Sequence, residues 1–216
     1  MNTRVLIKSI ALLALTCLGI AFFMIYQLRN PKQQQPQSDT PYLESYDNPY
    51  SDFKIPPFQL LDRNAEPIDQ TVLDNQFTVV DFFYTSCPLY CPVMSAEMSR
   101  VQEATKGTDL QLLSISIDGD IDTPQVINNY ASAFKADPNR WRFATGTPES
   151  VEKIAYEGLK FHIRNRDQTA AAGQTQIEHP TKLILLGPDR SVIGLYTYNN
   201  REEIDELIET ALKLVK

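Results

Sequence analysis

The sequence predicts an α/β fold, a sandwich with a central mixed sheet, preceded by a single N-terminal transmembrane helix. Three observations predict it. From residue 53 onward, strand-like apolar runs alternate with helix-forming stretches and end in a hairpin and a last helix, the order expected of an α/β layer structure. Residues 77–98, FTVVDFFYTSCPLYCPVMSAEM, pass from an apolar strand through a two-cysteine turn into a helix. Residues 10–28 are apolar except for Thr16 and Gln27. The chain therefore divides into an anchor at 1–29, a flexible linker at 30–52 and a domain at 53–216.

The anchor is long enough to span a bilayer, and longer than the apolar core of about 7–15 residues in a cleaved signal. It closes on FFMIYQL rather than on a small-residue cleavage pattern, and Ala14-Leu15-Thr16 before Cys17 matches a lipidation site poorly. Basic residues flank both ends, and the amino terminus tips the balance toward an N-terminus inside. The domain then faces an extracytoplasmic space such as the bacterial periplasm. The linker, with four Pro and four Gln in residues 30–52, shows no periodicity and has no core of its own.

Within the domain, Ile55 to Leu61 suggests an edge strand interrupted by Pro56-Pro57, and Asp62 to Ala65 a hairpin turn. Phe77 to Tyr84 is the buried strand. Pro92 suits a helix start, where the missing N–H leaves nothing unpaired, and that helix runs to about Ala104. Leu110 to Ile117 is a second buried strand, ending at Asp118. Asp122-Thr123-Pro124 opens a helix to about Phe134, with Asp122 or Thr123 as cap. Trp141 to Ala144 is a short strand, Thr147 to Gly158 a helix, and Lys160 to Arg164 has strand character. Residues 165–175 read as an exposed loop. Leu183 to Leu186 and Val192 to Tyr196 form a hairpin around Gly187-Pro188, and Asn200 to Val215 is an amphipathic closing helix.

With 216 residues and 43% hydrophobic content, the chain supports one well-cored domain. Residues 1–32 hold four basic and no acidic side chains, so the remainder carries 16 basic against 27 acidic. A body this acidic excludes nucleic acid as a partner, since such binding depends on neutralising phosphates. Cys17 lies in the anchor, and the remaining two cysteines are too few for a disulfide framework, which points to a redox or metal site.

Cys87 and Cys91 stand one helical turn apart at a helix start, where the helix dipole favours thiolate. Reversible disulfide exchange, metal binding and a structural disulfide compete for such a pair. Zinc wants four closed ligands, and there is no second cysteine pair. A peroxide-reducing site expects Thr three residues before its cysteine, where Tyr84 and Pro88 stand. Of the two histidines, His162 reads as an ordinary strand residue. His179, in QIEHPTKLILL, precedes the buried strand 183–186, and in a sheet of this order that loop packs beside the cysteine turn. Two thiolates and an imidazole make a soft set suited to copper, with Glu178 able to orient the ring.

YTSCPLYCPVM resembles the CPxxCP motif of the Sco/SenC proteins. Residues 114–130 (SISIDGDIDTPQVINNY), 141–149 (WRFATGTPE) and 177–196 (IEHPTKLILLGPDRSVIGLY) are similar to further stretches of that family, in the same order. The resemblance covers about residues 53–215. It implies a thioredoxin-like sandwich and a copper chaperone that serves cytochrome c oxidase assembly, handing Cu(I) or Cu(II) to the CuA copper-site subunit. Other copper carriers or thiol reductants are implied as further partners. It carries Cys87 and Cys91 over as copper ligands and redox pair, His179 as third ligand, and Asp118 as an acidic neighbour of the metal. A thiol–disulfide oxidoreductase that reduces the oxidase subunit's cysteines, with Cys87 attacking and Cys91 resolving, is the alternative, and a redox or copper sensor a third. Three departures stand out. Glu178 occupies a position where the family often has Asp, Pro180 confines His179 to extended backbone, and Asp118 is followed by Gly119 rather than Pro.

Overall fold

In the computed structural model, which describes residues 48–50, 52–163 and 180–215, the strand predicted before the cysteine turn lies inside the sheet, beside its middle strand. β1 (Gln59–Asp62) and β2 (Pro67–Asp69) form the first hairpin, and a 3₁₀ turn (Gln70–Leu73) leads to β3 (Thr78–Phe83). Then follow α1 (Tyr90–Ala104), β4 (Gln111–Ser116), α2 (Pro124–Ala133), β5 (Trp141–Thr145) and α3 (Pro148–Lys153), which continues as a π turn over Ile154–Gly158. β6 (Lys182–Leu186), β7 (Val192–Thr197) and α4 (Arg201–Leu214) complete the domain. The seven strands lie in the order β2-β1-β5-β4-β3-β6-β7. β3, β4 and β5 are parallel, and the hairpins at both edges are antiparallel.

Every residue of β3 is buried, so the sheet is covered on both faces at this strand, as a parallel strand requires. The path β3–α1–β4–α2–β5 steps across the sheet in one direction. Right-handed crossovers therefore put α1 and α2 on one face. They touch there: Ser95 and Tyr130 hydroxyls lie 2.9 Å apart, and the Ser99 hydroxyl donates to Phe134 O at 2.7 Å. On its other flank α1 meets α4, through the Arg100–Asp205 ion pair. Phe83 stacks on Tyr130 at 5.0 Å and meets the edge of Phe143 at 5.4 Å, so aromatic side chains join the first two crossovers.

The chain enters through Asn48, whose side-chain amide donates to Val192 O, and Tyr50 packs near Phe53 with ring centroids 6.0 Å apart. Two expectations need correction. The first strand begins at Gln59, after the prolines rather than across them, because Pro56 and Pro57 donate nothing to a ladder. Residues 160–163 form no strand: Lys160 has φ +59, a left-handed conformation that ends the π turn and breaks extended pairing, and His162 lies exposed beside Tyr156. Among the described residues no helix is long and apolar enough to cross a membrane; the segment read as an anchor lies outside them.

Candidate metal centre

β3 ends at Phe83 and α1 begins at Tyr90, so the six intervening residues must reverse the chain above the carboxyl end of β3. The helix starts two residues before Pro92, which still falls within the first turn, where its missing N–H leaves no intrahelical bond unmade. Cys91 is thus the second helical residue, and Cys87 lies one turn before it. Cys87 N donates to Tyr84 O at 3.2 Å, and Cys91 N donates to the Cys87 sulfur at 3.4 Å. No disulfide joins the two sulfurs. Cys87 keeps 5% of its surface exposed and Cys91 none.

Their environments drive them apart. Burial opposes ionisation of Cys87, but the N–H groups of Cys91 and Leu89, with the Cys91 thiol and the Tyr84 hydroxyl, outweigh it and hold the thiol below its ordinary value. Burial pushes the Cys91 thiol well up, against a Tyr84 backbone bond; its bond to Cys87 and the charges of Cys87 and Asp81 push the same way. Cys87 is thus the thiol that ionises more readily and Cys91 the one that resists ionisation, the order expected of an attacking and a resolving thiol. Around this buried pair the turn is apolar and open: Leu89, Tyr90 and Val93 are 56%, 42% and 46% exposed.

Asp118 closes β4, buried, with its N–H on the Ser116 hydroxyl at 3.2 Å. It lies in the β4–α2 loop, which is tied to the cysteine turn through Asp122. Glu178 and His179 lie outside the described residues, and among the described residues no three His, Cys, Asp or Glu side chains converge. β6 runs antiparallel to β3, with Val80 opposite Ile184, so the start of β6 and the buried Pro180 before it lie toward the end of β3 that leads into the cysteine turn.

Two functional groups escape the sequence reading. Asp81 sits in the middle of β3, wholly buried, with one carboxylate oxygen receiving the Ser114 hydroxyl at 2.5 Å and the other without a partner. Trp141 Nε1 donates to that same Ser114 oxygen at 2.9 Å. Burial pushes the Asp81 carboxyl up to about 7, against the Ser114 bond and its own backbone N–H. The signal was a single acid inside an otherwise apolar strand, a costly placement that asks for a reason. The second is Asp122, which the sequence offers as a helix cap. Thr123 takes the cap position, without a side-chain bond, and Asp122 turns inward.

The SCO1/SenC family profile matches residues 47–216. The chain belongs to the SCO1/SenC family. Its relatives include the SCO1 protein homolog of Bacillus subtilis, 25% identical over 159 residues, 72% of this chain and 80% of that protein. The fold matches BsSco, a member of the Sco family of cytochrome c oxidase assembly proteins in which a disulfide switch is identified. That match has a TM-score of 0.68 at 22% identity and covers 80% of this chain and 98% of that one. It also matches the copper-bound ScoI of Bradyrhizobium japonicum, with a TM-score of 0.59 at 26% identity, over 74% of this chain and 97% of that one. The mixed sheet with its thioredoxin-like crossovers is thus the Sco family fold.

Proposed function

We propose that this chain is a membrane-tethered copper carrier of cytochrome c oxidase assembly. In this reading Cys87, Cys91 and His179 hold one copper ion as cargo and pass it by ligand exchange to the oxidase's CuA copper-site subunit. The observation that carries it is the sulfur pair: two soft donors one turn apart at a helix start, one of them held below its ordinary thiol value by the N–H groups around it. The copper-bound relative supports the choice of metal. The antiparallel run of β6 against β3, which starts β6 toward the cysteine end of β3, supports His179 as third donor, with Glu178 and Asp118 as acidic neighbours. The apolar run at residues 10–28 supports tethering, with the domain in an extracytoplasmic space.

Titration of the reduced full-length chain with Cu(II) tests this reading. One equivalent is expected to bind with a thiolate-to-copper charge-transfer band, lost in Cys87→Ser. His179→Ala is expected to weaken Cu(II) binding by more than ~100-fold, beyond the loss typical for an outer-sphere partner, while leaving thiol exchange intact. Unchanged copper affinity in His179→Ala rejects the three-ligand site.

The contrast between the two thiols favours a second reading, a thiol–disulfide oxidoreductase acting on the oxidase subunit. Cys87 attacks the client disulfide and releases one client thiol. Cys91 then resolves the mixed disulfide and releases the second, so the client gains two electrons as the pair closes its own S–S bond. Wild-type protein that takes no tight copper, yet exchanges its disulfide readily, selects this reading.

A further inference from the structure

We infer that Asp122 is the positioning residue of the cysteine turn. The inference rests on the reading of Cys87 and Cys91 as a working pair. The Asp122 side chain is fully buried. Its carboxylate accepts the Thr85 N–H at 3.0 Å, the Thr85 hydroxyl through a short bond, and the Ser116 hydroxyl at 2.6 Å. Its own N–H donates to Asp118 O at 2.8 Å. A carboxylate withdrawn from water, with no cation paired to it among the described residues, is costly, and three donors aimed at it are what make the placement tolerable. A capping aspartate at the same position would have faced water at little cost. The burial therefore fixes geometry rather than merely starting a helix.

What it fixes is the approach to Cys87. Cys91 is held by α1, whose buried Met94 and Met98 bind it to the core. Cys87 has no helix behind it, and its place depends on the two residues before it and on Tyr84, whose carbonyl takes its N–H. Thr85 follows Tyr84 directly and gives both its backbone and side-chain donors to Asp122, so the turn is pinned at its second residue. The same carboxylate, through Ser116 and Asp118, holds the acidic loop against that turn. One side chain, 31 positions beyond the second cysteine in the sequence, sets both the spacing of the sulfurs and the distance of Asp118's loop from them.

Equilibrating the reduced full-length chain with glutathione buffers measures the sulfur spacing. Oxidised glutathione takes two electrons and two protons to give two thiols as the Cys87–Cys91 bond closes. Asp122→Ala is expected to lower the equilibrium constant for closure about tenfold, a rise in potential of ~30 mV for a two-electron couple. Thr85→Val, which deletes one of the three bonds, is expected to lower it about threefold, and Thr85→Ser, which keeps the hydroxyl, to restore it, by the same conversion. Asp122→Ala that melts earlier yet keeps the wild-type constant makes Asp122 a purely structural residue and overturns the inference. Should Asp122→Ala not fold, identical constants for Thr85→Val and Thr85→Ser overturn it equally. Wild-type protein that closes no intramolecular disulfide removes the reading of the pair itself, a result separate from any variant.

Discussion

Asp81→Asn is expected to stabilise the reduced protein at pH 8 by on the order of 3 kcal/mol and to leave it nearly unchanged near pH 4. In the folded chain the Asp81 carboxyl is pushed up to about 7 by burial, from an ordinary value of 3.8. Below about pH 4 both folded and unfolded chains hold the proton, and the group contributes nothing. Between about 4 and 7 the folded chain keeps a proton that the unfolded chain releases, so stability falls as pH rises. Above about 7 the whole penalty of a buried charge is present. Asparagine carries no charge at any of these values and can still accept the Ser114 hydroxyl. Urea unfolding of both proteins at pH 4.5 and 8 measures the difference, and parallel pH profiles would show that Asp81 ionises at no cost.

Gly119→Ala is expected to be the most damaging small substitution near the site, at about 3 kcal/mol, the upper part of the range for overpacking. A Cβ on Gly119 would overlap the backbone carbonyl oxygen of Gly146. Backbone meets backbone there, so no rotamer change relieves the contact. The loops after β4 and β5 would have to part, and the β4–α2 loop carries Asp118 and Asp122. Thermal melting of Gly119→Ala checks the size, and a melting temperature within a degree of wild type rejects the close approach. The same contact gives a physical reason for the glycine after Asp118.

Much of this architecture was legible in the sequence because the signals were local. A β-branched and aromatic run announced β3, Pro92 marked the first turn of α1, and Gly187-Pro188 marked the last hairpin. The helical period through Ile204, Leu207, Ile208, Leu212 and Val215 announced α4, although the structure buries Leu214 and leaves Leu212 half-buried. The family was legible for the same reason, since its motifs are short and ordered. Lys160 shows where local reading fails: an apolar stretch looked extended, but a left-handed residue at the end of a π turn decided its path. Asp81 and Asp122 were hidden for another reason. The groups that explain them, Ser114 and Thr85, lie 33 and 37 positions away, and only the parallel pairing of β3 with β4 brings them together. A polar residue inside a core run can be noticed in sequence, but its partner is set by topology.

The entry point of the chain has a mechanical consequence. Asn48 is fastened to Val192, at the start of β7, level with the start of β3, whereas the thiols stand beyond the end of β3. Six residues of strand separate the two poles, a height of ~20 Å at about 3.3 Å per residue. Any fixed point upstream of Asn48 therefore holds the domain by the pole remote from its sulfurs. Shortening the upstream chain would restrict how far the domain can range before it could bury the cysteine turn against whatever surface holds that point.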